Sequence, residues 1–156
     1  MSRATASSSR ERAKPDADDA RDLRVSDAQF DSICAAFHVS GGLARGDDVA
    51  LLLDERRRGS SMSLARLIET DKVFGFERDG TLWVPMFQFE PDTLHPRPSA
   101  LKVRAELAAE FDGWEVASWF ATPNAWLRDR RPVDLLDSNL REVLETARID
   151  RYIAAG

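Results

Sequence analysis

Arg130 and Arg131 stand side by side before Pro132. An exposed pair of planar guanidinium groups can hold carboxylates bidentately, or close a salt bridge at the start of a helix. A second set of cations, Arg56, Arg57, Arg58, Arg66, Lys72 and Arg78, brackets a Gly59-Ser60-Ser61 break and reaches the Asp79-Gly80 pair; arginine and lysine in such places can contact DNA phosphates. Asp47, Asp48, Asp54, Glu55, Glu69, Asp71, Glu77 and Asp79 lie among them, so no dominant electrostatic footprint emerges. The groups from which catalysis is usually built are few. His38, His95 and Cys34 have no metal-ligand spacing. Asp92 near His95 does not by itself make a catalytic pair, and no base is placed to activate Cys34, which reads as a small buried hydrophobe. With no phosphate-cradling glycine loop and no nucleophile elbow, these residues predict a binding protein rather than an enzyme, with no cofactor and no metal site.

The elements that must position them belong to a chain of 156 residues, 43% hydrophobic and 31% charged, with a net charge of -5. That is enough for one ordinary core, or two small lobes sharing one, and it argues against non-specific attraction to nucleic acid or an anionic membrane. No apolar run approaches the roughly 18 residues of a membrane span. The N-terminus lacks the apolar segment of a signal peptide, and a single cysteine cannot make an internal disulfide; the expected setting is cytoplasmic. Residues 1–24, rich in Ser, Ala, Arg and Asp without apolar periodicity, predict a disordered tail.

From Val25 the pattern changes. Ser26 with Gln29 matches a capping box, Val25 can staple to Phe30, and Phe30, Ile33, Cys34 and Phe37 share a helical face that Gly41-Gly42 ends. A helix from Asp47 with Val49, Leu52 and Leu53 inward, the Gly59-Ser60-Ser61 break, and a helix capped by Ser63 with Leu64, Leu67 and Ile68 follow. Val73–Glu77 and Leu82–Phe87 flank Asp79-Gly80, a hairpin signal. The set reads as a winged helix-turn-helix, or as a degenerate lobe of that shape that only packs or dimerises. Glu90 to Ser99, with three prolines, reads as a linker between lobes. Beyond it come a helix with Ala100, Val103, Leu107 and Phe111, then one capped by Asp112 and Glu115 with Val116, Ala117 and Phe120 inward, widened by Trp114 and Trp119 and stopped by Pro123. Trp126 and Leu127 are expected to return to the core, and Pro132 to begin a short helix holding Val133, Leu135 and Leu136. Asn139 with Glu142 resembles a further capping box before a final helix with Leu140, Val143, Leu144 and Ala147, ending near Tyr152 and Ile153 in a tail that either frays or docks on a partner. The expected fold is mostly α: a small helical bundle with a helix-turn-helix-like lobe carrying a short β-hairpin (25–90) and a helical C-terminal domain (91–156).

At TPNAWLRDRRPVDLLD, residues 122–137, the chain resembles the toxin-binding C-terminal domain of the Xre/MbcA/ParS antitoxin family. That family's pattern is an Asn-rich turn, a Leu, a glycine-containing turn, Arg-x-Pro and an apolar helix. LWVPMFQF at 82–89 looks like the family's strand leading to Pro-x-Phe-Gln-Phe, and Asp112 to Phe120 is similar to its next helix, so the resemblance covers residues 42–156. It implies a small helical protein that binds and neutralises a cognate toxin, typically a RES-domain enzyme that destroys NAD. It also implies a homodimer that regulates its own operator DNA through the N-terminal lobe. Asn124, Arg130, Arg131 and Asp134 fall on the signature as implied toxin contacts, with Arg148, Arg151 and Tyr152 on the final helix. From their own chemistry, Asn124 also suits a turn or cap, Trp126 and Leu127 a core, and Pro132 a helix start. Where the family commonly has Gly-Gly, this chain has Arg128-Asp129, and a local difference in the turn is expected. The alternative is a DNA-binding regulator without a toxin partner.

Overall fold

The Ser26 hydroxyl accepts from the Gln29 amide at 3.2 Å while the Gln29 side chain accepts from the Ser26 amide at 3.1 Å, and this capping box opens α1, Asp27–Phe37. The structure, a computed structural model, describes residues 26–56 and 62–156; the expected tail at 1–24, Arg57, Arg58 and the Gly59-Ser60-Ser61 break lie outside the described residues. After α1 and a 3-10 turn, Gly41 and Gly42 take positive φ. The chain then enters a strand that the sequence did not announce, β1, Leu43–Arg45. Three residues are too few to show a period of two; β1 exists because it pairs antiparallel with a later strand.

Next come α2, Gly46–Arg56, and α3, Leu64–Glu69. The Ser63 hydroxyl caps α3 by accepting from the Arg66 amide at 3.2 Å. Val49 and Leu53 of α2 are buried, but Leu52 is exposed, contrary to its expected inward place. The buried stripe runs through Gly46, Val49 and Leu53, and at about 100° per residue Leu52 falls well to one side of it. The hairpin consists of β2, Phe76–Arg78, and β3, Thr81–Pro85. It turns on Asp79 and Gly80 at φ 51° and 77°, the twist a two-residue hairpin loop favours. Both strands are shorter than expected, since Val73 and Phe74 turn into the core and Met86–Gln88 forms a 3-10 turn. Sheet order is β1-β3-β2 with Leu43 opposite Pro85 and Phe76 opposite Trp83. Helix, strand, two helices and a hairpin thus follow one another around one small antiparallel sheet.

The proline-rich segment is not an open linker. The Glu90 amide donates to the His95 carbonyl at 2.8 Å and the Arg97 amide to the Gln88 carbonyl at 2.7 Å, closing a loop that buries Leu94. Pro98 begins α4, Pro98–Leu107, in the first turn where its missing N–H is harmless. Asp112 and Glu115 form the expected box, the Glu115 amide donating to the Asp112 carboxylate at 2.8 Å, and open α5, Gly113–Ala121. A Cβ on Gly113 would run into the Gly75 carbonyl oxygen, so glycine lets α5 approach the sheet. Two 3-10 turns, Ala125–Leu127 and Pro132–Leu135, lead to α6, Leu140–Ala155. Asn139 makes no cap to the backbone of α6; its side chain donates to Glu142 at 2.7 Å instead, because its ψ of 50° departs from the extended geometry that aims a cap at the third amide. The last residues belong to α6, which runs to Ala155.

One buried cluster joins Ile33, Ala36 and Phe37 of α1 and the rings of Phe74, Phe76 and Phe87 to Val103 and Leu107 of α4, Val116 and Phe120 of α5, and Val143 and Ala147 of α6. A second holds α2, α3, Val73, Val84, Phe89 and Leu94. A boundary at residue 90 therefore divides the sequence but not the core. Gln88 ties the segment before β2 to the end of β3: its buried amide accepts from the Phe74 amide at 2.9 Å and donates to the carbonyls of Phe74 at 2.7 Å and Pro85 at 2.9 Å. Replacing Gln88 by Leu keeps the volume and leaves three buried backbone groups unpaired, so about 3 kcal/mol of stability is expected to disappear, read as a lower urea midpoint at unchanged slope.

Candidate functional site

Pro123 and Asn124 turn the chain out of α5, and Asn124 then works inward. Its side-chain oxygen accepts from the Trp126 amide at 3.0 Å and its Nδ2 donates to Asp150 of α6 at 2.9 Å. The indole Nε1 of Trp119 donates to the same carboxylate at 2.7 Å. Asn124 thus positions the turn, and it stays half-buried at the surface. Leu127 is buried as expected, but Trp126 is 61% exposed; neighbouring residues of so short a 3-10 turn point in different directions, and Leu127 takes the one that leads to the core. Arg128 and Asp129 follow at φ 58° and 59°, the left-handed geometry that glycine favours. Two consecutive non-glycine residues therefore hold left-handed geometry in this turn.

Arg130 and Arg131 are exposed and neither makes a side-chain ion pair among the described residues. Asp134 is also exposed, at the rim of a cleft of about 610 Å³ floored by Met86, Phe89, Leu94 and Val133 and edged by Arg97. Arg148 and Arg151 behave differently. Their guanidinium groups donate to the two oxygens of Glu106 on α4, at 3.1 Å and 3.0 Å, so they clamp α6 to α4. On the rest of α6, Tyr152 is 82%, Ile153 62% and Ile149 36% exposed. Their spacing of i, i+3 and i+4 puts them on one unpartnered flank, beside the stripe that Val143, Thr146 and Ala147 bury. Sequence reasoning named Tyr152 and missed Ile149 and Trp126 as surface residues; the signal for Ile149 was its offset from that stripe.

In the N-terminal half the implied DNA contacts separate. Arg56, Arg66 and Lys72 are exposed, Arg57 and Arg58 lie outside the described residues, and Arg78 is occupied. Its guanidinium pairs with Asp27 and sits 4.4 Å over the ring of Phe30, pinning the hairpin to α1. Arg78→Ala is expected to lower stability by about 1 kcal/mol and to leave any DNA affinity unchanged, which a melting curve and a gel shift on the same variant would read. The second helix, α3, shows Ala65, Arg66 and Glu69 to solvent, a face nearly neutral in charge.

Cys34 is half-buried, and burial with the nearby Asp31 carboxylate raises its thiol pKa, which fits a packing residue rather than a nucleophile. Among the described residues no group of three or more His, Cys, Asp and Glu is arranged to hold a metal, and no helix is long and apolar enough to cross a membrane. No family model, curated protein or solved structure matches the chain.

Proposed function

We propose that this chain is an antitoxin-like protein of the Xre/MbcA/ParS kind, which binds and neutralises a RES-type, NAD-degrading toxin through its C-terminal half. The observation that carries the reading is the exposed aromatic and aliphatic flank formed by Ile149, Tyr152 and Ile153, with a further exposed aromatic, Trp126, on the turn that Asn124 ties to the same helix. Trp, Tyr and Arg are the residues that dominate protein interfaces. The flank is also held in place before any partner arrives: Asp150 anchors the turn to α6 through Trp119 and Asn124, and Arg148 and Arg151 anchor α6 to α4. Such pre-organisation lowers the entropy lost on binding. The mechanism is stoichiometric occlusion, and it asks no chemistry of the chain. Co-expression of the tagged chain with a RES-type enzyme, sought first in the adjacent open reading frame, tests the reading. Joint purification and restored growth are expected; a toxin that passes through the column and still arrests growth would overturn it.

A second reading has one observation in its favour, the helix, strand, two helices and hairpin that run from α1 to β3, an order that suits a winged helix-turn-helix. In it the chain regulates a promoter with Arg56, Arg66 and Lys72 against phosphates. Specific retardation of its own promoter fragment, with affinity falling steeply as salt rises, is its expected result; a flat salt response excludes it.

A further inference from the structure

The cleft of about 610 Å³ between the turn after α1 and the turn before α6 has the size of a small-molecule site. Val39, 94% exposed, forms its lip, and Phe89, Leu94 and Val133 on its floor are buried. That floor is fixed in advance. The Leu94 amide donates to the Glu90 carbonyl at 2.8 Å, and Leu94 is held at φ 55°, a left-handed conformation that costs a leucine energy. Arg97 braces one wall against the other, its guanidinium donating to Asp137 at 3.3 Å. The contact leaves the Asp137 side chain 77% exposed. Asp134, which also lines the cleft, is exposed and makes no side-chain ion pair among the described residues. One guanidinium against two carboxylates leaves a negative charge in excess above an apolar floor.

We infer that this cleft binds a small amphipathic cation, an aliphatic or aromatic body carrying one ammonium or guanidinium group. The body covers the floor and releases the water over it. The cationic head completes the charge of the rim, with Asp134 and the exposed side of Asp137 accepting its N–H groups. An anion reaches Arg97 only against both carboxylates, and a neutral apolar molecule gains nothing from them. The cleft shares no residue with the flank of Ile149, Tyr152 and Ile153, so the inference goes beyond the docking proposal and its failure leaves that proposal untouched.

The test titrates the isotope-labelled full chain with phenylbutylamine, and in parallel with phenylbutanol and phenylbutyrate, which keep the body and change only the charge, while amide resonances are followed by NMR. For so small a ligand the amine is expected to bind with a Kd on the order of 1 mM. The alcohol should bind about threefold more weakly, and the acid more weakly still. The shifts should centre on Gly41, Leu94 and Val133. Asp134→Asn should erase most of the amine's advantage over the alcohol. Asp134→Asn/Asp137→Asn leaves Arg97 as the one charged side chain lining the cleft and should reverse the order, so that the acid binds best; a melting curve on each variant reports that it is folded. Equal affinity for the three compounds, an order that neither variant changes, no saturation at about ten times the expected Kd, or shifts centred instead on Trp114 and Ser118 would overturn the inference.

Discussion

Phe120→Ala is expected to destabilise the protein by about 3–5 kcal/mol, the range for emptying a fully buried phenylalanine site. The ring is inaccessible to solvent. Its centroid lies 4.7 Å from that of Phe87, 5.3 Å from Trp119 and 6.3 Å from Phe74, the last pair nearly parallel at 14°. These neighbours come from α5 itself, from the loop before β2 and from the turn after β3, so the cavity would open where the two halves of the sequence share one core. A single cooperative urea transition at a lower midpoint, seen equally by far-ultraviolet circular dichroism and tryptophan fluorescence, is the outcome that follows. Two separated transitions would show that the halves are independent units after all.

The second large effect concerns binding and should leave the fold intact. Tyr152→Ala combined with Ile153→Asp removes an exposed aromatic and places a charge in the middle of the proposed docking flank. At a hot spot such a change amounts to about 3 kcal/mol, or roughly a hundredfold in Kd for the toxin. Both side chains are mostly exposed in the free chain, so Tm should hold within a degree or two. Arg148→Ala is the instructive contrast. It breaks a partly exposed contact with Glu106 in which Arg151 remains, so its effect on stability should stay below about 1 kcal/mol, and its effect on binding should be correspondingly small.

Those expectations depend on features that were unevenly legible in the sequence. The capping boxes at Ser26 and Asp112 and the Asp79-Gly80 turn were readable because each is decided within a few residues by the backbone's own hydrogen-bonding needs. The inward positions of Ile33, Phe37, Val116 and Phe120 followed from helical spacing alone. What could not be read was decided by distant partners. β1 is a strand only because β3 lies beside it. Arg78 spends its charge on Asp27 and its face on Phe30, and Arg148 and Arg151 converge on Glu106 from more than 40 residues away. Trp126 illustrates a different limit. A tryptophan next to a leucine in a short turn looks like core on hydrophobicity, and only the direction taken by Leu127 determines that the ring is left outside. The left-handed pair at Arg128-Asp129 runs against residue preference altogether. The resemblance to a glycine-containing turn was the sequence signal for such geometry there.

The most direct measurement is NAD turnover by the purified RES-type enzyme as the chain is titrated against it. The account predicts that activity falls linearly and reaches zero at a fixed molar ratio, as occlusion by a tight stoichiometric binder requires, while the Tyr152→Ala/Ile153→Asp variant needs a concentration roughly a hundredfold higher for the same inhibition. Turnover that continues undiminished in the presence of a large excess of the unmodified chain would contradict it.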